Sequence, residues 1–293
     1  MPKLSHHDIL SYEEILRLIN IFVDLGIHKV RVTGGEPLVR KGVIGFLERL
    51  SQISGLDDLS LTTNGILLKD NLAKIKSAGV KRLNISLDTL NPETYHKITG
   101  RNAFQQVMDT IHQAVTEGFS PVKVNIVVLR GVNDTELSDL AALSVSNPLH
   151  IRFIEAMPFE RKEMEAAPPL LTPEIKHLLQ KMGRLLPIES GVYDGPARRF
   201  RFEGAEGEIG FISPVTDHFC HKCNRLRLTA DGKLRLCLLS NLQIDLKGPL
   251  RASRSDSELS DLILDAIKKK PFESGLGPNT HIRIPDSMSA IGG

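Results

Sequence analysis

Tryptophan is absent from this chain, tyrosine occurs three times, and all aromatics together supply 5% of its 293 residues. That scarcity excludes a platform for single-stranded nucleic acid, which needs successive aromatic faces for base stacking. Charge of one sign is lacking too. Lys and Arg number 37 against 35 Asp and Glu, so the formal charge is +2 and no global field gathers polyanions. No apolar run reaches the roughly 18 residues of a spanning helix. The opening Met-Pro-Lys-Leu-Ser-His-His carries neither an apolar signal core nor an Arg-rich presequence. No Walker loop and no repeat of solenoid length is present. The expectation is a soluble cytoplasmic protein with no membrane and no nucleic-acid partner. A mitochondrial matrix location stays open for a chain with a longer N-terminus.

Cysteine is equally sparse, and its distribution is informative. The chain has three cysteines, Cys220, Cys223 and Cys237, spaced C-x₂-C-x₁₃-C. An odd, clustered set without a secretory segment argues against a disulfide framework and for metal ligation in a reducing compartment. A closed zinc site needs four ligands, which His218 or His221 would complete as Cys₃His. An iron–sulfur cluster held by three thiolates would instead leave one iron for a substrate. Both remain open on spacing alone.

Apolar residues make up 41% and charged residues 25%, ordinary for a globular protein able to bury a large core. From Ser11 to about Ala156 helical and strand patterns alternate. Ser11-Tyr-Glu-Glu14 is a capping box, and Ile15, Leu18, Ile19 and Phe22 follow at helical spacing. Strands are expected at 28–33, 58–62, 82–87, 122–129 and 150–156. Helices are expected near 43–53, 70–78, 104–117 and 134–145. Five consecutive βα units imply an α/β fold with parallel strands, a barrel or a large part of one. After Met157-Pro158 the pattern changes to a Pro-punctuated stretch with one helix near 174–182. Strands follow at 199–202, 208–212, 225–229 and 234–238. Ala230-Asp231-Gly232 turns the last two into a hairpin that gathers the three cysteines. A helix near 257–269 and a Gly/Pro-rich tail finish the chain.

Polar motifs fall at consecutive strand ends, where barrel enzymes place their chemistry. Thr33-Gly34-Gly35-Glu36-Pro37 offers a backbone edge free of Cβ atoms, with Glu36 suited to an ammonium group. Thr62-Thr63-Asn64-Gly65 and Ser86-Leu87-Asp88 occupy the next two ends. Lys123 and Arg152 lie within strands and would be costly to bury unless a polyphosphate, a carboxylate or structural acids paired them. Arg225 and Arg227 alternate, so both leave one face of their strand beside the thiols. With Arg31 they suit phosphate oxygens.

The ordered set TGGEP, TTNG, NISLDTL, PVKVNIVVLRGVND, IRFIEAMPF and HFCHKCNRLRLTADGKLRLCL resembles the GTP 3′,8-cyclase family, radical S-adenosylmethionine enzymes of molybdenum-cofactor biosynthesis. The resemblance runs from about Leu10 to Gly293. It implies a partial TIM-type βα barrel over 1–158, lacking its first strand, and a smaller C-terminal region over 159–293. That region would carry a [4Fe–4S] cluster on a β-hairpin, together with the GTP site. By this resemblance Gly35, Ser86 and Met157 would bind S-adenosylmethionine. Arg31, Thr62, Lys123, Arg225, Leu226 and Arg227 would contact GTP, and Cys220, Cys223 and Cys237 would ligate the cluster. Gly292-Gly293 would enter the active site. The implied product is (8S)-3′,8-cyclo-7,8-dihydroguanosine 5′-triphosphate. An electron donor and the next enzyme of the molybdopterin pathway are expected partners, and a homodimer is a further possibility. The family's N-terminal C-x₃-C-x₂-C loop has no counterpart, since no cysteine precedes Cys220. The expectation is therefore one cluster per chain and no cyclisation by the chain as written. The rival readings are a non-catalytic GTP-binding protein with one cluster, and a zinc-stabilised barrel acting on another phosphorylated substrate.

Overall fold

A computed structural model describes residues 7–157, 169–189, 191, 194–217 and 219–271. The first element, α1 (Tyr12–Asp24), starts where the capping box predicts. Ser11 Oγ accepts from the Glu14 N–H at 3.1 Å, and Glu14 Oε2 accepts from the Ser11 N–H at 2.7 Å. Five strands and the helices between them follow: β1 (Lys29–Val32), α2 (Val43–Ser51), β2 (Asp58–Thr63), α3 (Leu72–Ser77), β3 (Arg82–Ser86), α4 (Pro92–Thr99), α5 (Phe104–Thr116), β4 (Val122–Val128), α6 (Leu137–Ala142) and β5 (Leu149–Glu155). Beyond them come α7 (Thr172–Leu179), β6 (Leu185–Ile188), β7 (Arg198–Phe202) and β8 (Glu208–Ile212). The last elements are β9 (Arg227–Leu228), β10 (Lys233–Arg235), β11 (Gln243–Asp245), α8 (Lys247–Arg251) and α9 (Asp256–Lys268).

The main sheet has the order β1-β2-β3-β4-β5-β8-β7-β6. Pairing is parallel from β1 through β5 and on to β8, then antiparallel through β7 and β6. Because β5 pairs directly with β8, this sheet runs across the boundary expected at 158/159. Strand alternation gives it two unlike faces. Leu59, Leu61, Leu83, Ile85, Val124, Ile151, Phe153, Ile209 and Phe211 are buried in the main apolar core, with Phe46, Ile75, Val107 and Leu140 from the covering helices. The residues between them in sequence, Ser60, Asn84 and Arg152, are polar, and Gly210 takes the matching place on β8. Arg31 on β1 and Arg152 on β5 repel each other electrostatically. A flat sheet would hold those strands roughly 19 Å apart, so the sheet curls and its polar face is concave.

A second, smaller sheet pairs β9, β10 and β11 antiparallel. The hairpin turn falls at the expected Ala230-Asp231-Gly232, where Gly232 takes φ +82° and an added Cβ would meet Lys247 Cβ at 2.6 Å. A second apolar cluster buries Leu18, Ile21 and Phe22 of α1 with Leu234 and Leu236 of the hairpin and Leu259, Ile263 and Ala266 of α9. Thus the first helix is part of the base on which the hairpin stands. Four elements, α4, β6, β11 and α8, were not expected, and β9 and β10 are shorter than expected. Among the described residues no helix is long and apolar enough to cross a membrane.

Candidate functional site

The register places one polar row after another on the concave face. Arg31 lies beside Ser60, and Ser60 beside Arg82. Thr62 lies beside Asn84, Asn84 beside Lys123, and Lys123 beside His150. Ser86 lies beside Asn125, and Asn125 beside Arg152. Three carboxylates serve part of this charge. Asp58 accepts from Arg82 Nε at 2.8 Å and also from its Nη2, and lies 3.5 Å from Lys29 Nζ. Glu208 accepts from Arg199 Nε and Nη2, each at 2.8 Å, and lies 3.3 Å from His150 Nδ1. Asp194 accepts from the Gly191 N–H at 2.7 Å and pairs with Arg199.

Arg31, Lys123 and Arg152 have no ion pair among the described residues. Lys123 and Arg152 are each only 4% exposed. Arg31 is open to solvent within the concavity yet flanked by protein on most sides. Desolvation, followed by repulsion from Arg152 and Arg82, lowers the Lys123 pKa to about 7. Desolvation and then Arg31 bring Arg152 down to about 10. Desolvation and then Arg82 bring Lys29 down to about 8. Burial, with Arg225 and Arg82 next, lowers Arg31 as well. Four buried polar atoms on the same face, Ser60 Oγ, Thr62 Oγ1, Asn84 Oδ1 and Asn125 Oδ1, have no protein hydrogen-bond partner. Such an enclosure has unmet positive charge and unmet hydrogen-bonding capacity together, which a hydroxyl-bearing polyanion would satisfy.

At the C-terminal edge of the parallel strands lie Gly35 after β1, Ser86 at the end of β3 and Met157 after β5; Gly35 and Ser86 are exposed. Glu36 fixes this edge. Its carboxylate accepts from Thr63 Oγ1 at 2.9 Å, from the Asn64 N–H at 2.7 Å and from the Leu38 N–H at 3.1 Å. Those bonds join the TGGEP and TTNG loops, so its oxygens are committed within the protein rather than free for an ammonium group.

The thiols follow a loop that Glu155, fully buried, holds in place. Its carboxylate accepts from the backbone N–H groups of Thr172 at 2.8 Å and of Val215 and Thr216 at 3.0 Å, and from Thr216 Oγ1. A short 3₁₀ turn, Cys220–Lys222, comes next. Cys220, Cys223 and Cys237 then line one cavity with Met157, Phe219, Arg225 and Arg227. The Arg225 guanidinium lies 4.8 Å over the Phe219 ring. Burial raises the Cys223 thiol pKa, but a hydrogen bond from the Arg225 backbone, the Arg225 charge and Lys270 outweigh it, and the net shift is downward. Desolvation and Arg225 bring Arg227 down to about 10, with Cys223 and Cys237 opposing and Arg31 adding. Arg31 therefore belongs electrostatically to both the concave face and the thiol cavity.

Two family descriptions divide the chain. Residues 2–143 match the Radical SAM superfamily, and residues 149–275 match Molybdenum Cofactor Synthesis C. A GTP 3′,8-cyclase of Thermodesulfovibrio yellowstonii is 45% identical over 291 residues, covering 99% of this chain and 89% of that protein. One from Moorella thermoacetica is 45% identical over 293 residues, covering 100% and 90%. The chain belongs to the GTP 3′,8-cyclase family. It thereby falls among the radical SAM enzymes of molybdenum-cofactor synthesis. Streptococcus suis SuiB bound to S-adenosylmethionine matches in fold, with a TM-score of 0.58 at 12% identity over 94% of this chain and 71% of that one.

Within this GTP 3′,8-cyclase family member, the residues singled out by sequence fall into two connected groups. Arg31, Thr62, Lys123 and Arg152 share the concave face. Arg225, Arg227, Met157 and the three cysteines share the cavity. Leu226 is different: its side chain packs against the second apolar cluster, so only its main chain lies between the two arginines. His221 is exposed. His218 and Gly292-Gly293 lie outside the described residues. Among the described residues no three His, Cys, Asp or Glu side chains are grouped to hold a single metal ion. Sequence reasoning missed Lys29, Arg82 and Asp194. Lys29 alternates with Arg31 on β1, and Arg82 alternates with Asn84 on β3, so the period-two signal was available for both. Asp194 sits in an irregular loop that carries no such signal.

Proposed function

We propose that this chain takes GTP as its substrate and forms (8S)-3′,8-cyclo-7,8-dihydroguanosine 5′-triphosphate within a partial barrel of radical SAM type. Arg31, Lys123 and Arg152 receive the triphosphate, with Lys29 beside them. Thr62, Asn84 and Asn125 offer acceptors to the sugar hydroxyls. Arg225 and Arg227 draw the nucleotide toward the thiol cavity. The observation that carries this reading is that the three cations without carboxylate partners connect, through Arg31, with the arginines beside the thiols. A triphosphate is long enough and charged enough to satisfy such a track by bidentate and point-charge contacts.

The donor set at the cavity fits an iron–sulfur cluster. Three cysteine side chains line one cavity with Arg225 and Arg227, and sulfur donors beside cations are the chemistry such a cluster takes. Cys220, Cys223 and Cys237 would hold one [4Fe–4S] cluster, leaving one iron position for the substrate. Gly35, Ser86 and Met157 would hold S-adenosylmethionine at the strand-end edge. S-adenosylmethionine, once given one electron, would supply the radical chemistry that side chains lack; Cys220, Cys223 and Cys237 would hold the cluster that faces the substrate, so that electron would come from a donor other than these three thiolates. The chain's own residues then fix the ribose against that edge, hold the guanine end at the cavity and keep the anionic tail out of bulk water. The two matched families meet at 143–149, just before β5, and in this reading the C-terminal region begins after residue 158.

Anaerobic reconstitution followed by iron, sulfide and zinc analysis, with calorimetry of GTP against GMP, tests this reading. The expected result is four irons and four sulfides per chain, as a [4Fe–4S] cluster requires, with GTP bound far more tightly than GMP. Stoichiometric zinc without sulfide, or equal affinity for the two nucleotides, would overturn it. The comparisons give no support to the expectation that the chain is inactive, and formation of 5′-deoxyadenosine under reductant reads turnover directly.

A further inference from the structure

Three consecutive lysines, Lys268, Lys269 and Lys270, lie at the C-terminal end of α9. The structure separates them. Lys268 and Lys269 are exposed, and Lys268 Nζ pairs with Asp265 at 2.9 Å. Lys270 is half-buried and turns inward. Its place is set by α9, whose N-terminus is capped by Ser255 and whose Leu259, Ile263 and Ala266 are buried against the base of the hairpin. The Lys270 N–H still donates to the Ile267 carbonyl at 3.0 Å, so the residue continues the last helical turn. Its ammonium donates to the carbonyl oxygens of Arg225 at 2.5 Å and of Leu236 at 2.9 Å. The first of these residues lies two positions after Cys223, and the second immediately precedes Cys237. Both acceptors are neutral, so the positive charge is not cancelled by a carboxylate in these contacts.

We propose that Lys270 is a positioning residue for the thiolate site, tying the two cysteine-bearing segments at a fixed spacing and placing a positive charge beside the sulfurs. This rests on reading the cysteines as cluster ligands. The bridge ties the backbone beside Cys223 to the backbone beside Cys237, as outer hydrogen bonds orient the ligands of other metal sites. The charge favours the reduced cluster, which carries one more electron.

The test uses the full chain, reconstituted anaerobically, as wild type and as Lys270→Met, Lys270→Gln and Lys270→Arg. Iron release to a chelator and the cluster's midpoint potential are the readouts, with far-UV melting of each apoprotein as a folding control. Lys270→Met should hold iron about tenfold less tightly or worse, and Lys270→Arg should restore retention. Lys270→Gln keeps donors without charge, so it should keep its iron and titrate at a more negative potential. If Lys270→Met fails to fold, the potential of Lys270→Gln decides. Wild-type retention and potential in both the Met and Gln variants would overturn the role of Lys270 alone. A wild-type chain that takes up no iron and sulfide would overturn the cluster reading, and this proposal with it.

Discussion

Nucleotide binding should be accompanied by proton uptake, and Lys123 should be its main source. Burial and neighbouring arginines lower its pKa to about 7 in the unliganded chain. At pH 8 a group titrating there is about nine-tenths deprotonated. A triphosphate laid against it removes the reason for that shift, because an opposite charge favours the ammonium form. Binding at pH 8 should then take up about 0.9 proton at Lys123, against about 0.1 at pH 6. Lys29, at about 8, can add up to roughly 0.5 at pH 8. The terminal phosphate of GTP is already fully ionised at pH 8 and adds none. Calorimetry in buffers of different ionisation enthalpy measures this uptake. Lys123→Arg should remove the 0.9-proton component while keeping most of the affinity, since a guanidinium stays charged. Lys123→Met should remove it and weaken binding by about 2–5 kcal/mol. The sign for stability follows the same shift. Between about pH 7 and the ordinary lysine range the unfolded chain holds a proton the folded chain has lost, so the unliganded protein gains stability as pH rises. GTP binding at pH 8 without proton uptake, or uptake unchanged in Lys123→Arg, would refute the reasoning.

Two further predictions concern the frame rather than the chemistry. Glu155→Gln turns a pure acceptor, bonded by three backbone N–H groups and a hydroxyl, into a group with a donor face. It should lose about 2–3 kcal/mol, read as a lower urea midpoint, and an unchanged midpoint would show that the loop does not depend on this carboxylate. Gly207→Ala would put a Cβ 2.2 Å from the Leu149 carbonyl oxygen and 2.6 Å from that of Asn147. Since backbone cannot step aside like a side chain, the cost should be about 3 kcal/mol or more, and wild-type thermal stability would contradict the close approach.

Much of this arrangement was legible in the sequence because it depends on period and spacing. The five βα units, the Ser11 capping box, the Ala230-Asp231-Gly232 turn and the alternation of Arg225 with Arg227 each have a local cause. One of the missed elements, α4, had one as well. Asn91-Pro92 is a cap followed by Pro at the first helical position, and the Asn91 side chain does accept from the Glu93 and Thr94 N–H groups at 2.9 Å. By contrast β6 exists through its antiparallel pairing with β7, and nothing in Leu-Leu-Pro-Ile announces that partner. The same holds for the site. Lys123 and Arg152 looked like expensive residues for strand interiors, and that expectation points to the concave face. That Arg31 reaches both groups of cations, that Asp194 faces them, and that Lys270 turns away from its neighbours all follow from how the sheet curls and how α9 docks. Those are long-range facts with no local signature.

The seating of α1 against α9 has a consequence for biogenesis. The ribosome releases α1 long before α9 exists, and the surface that both cover also supports the cysteine hairpin. During translation the thiols therefore lack their base, including the ammonium of Lys270, until almost the last described helix has emerged. Any group that the thiols hold must meet a polypeptide from which α9 has already emerged, and a chain truncated before α9 should present its sulfurs loosely to any scavenging ion or oxidant.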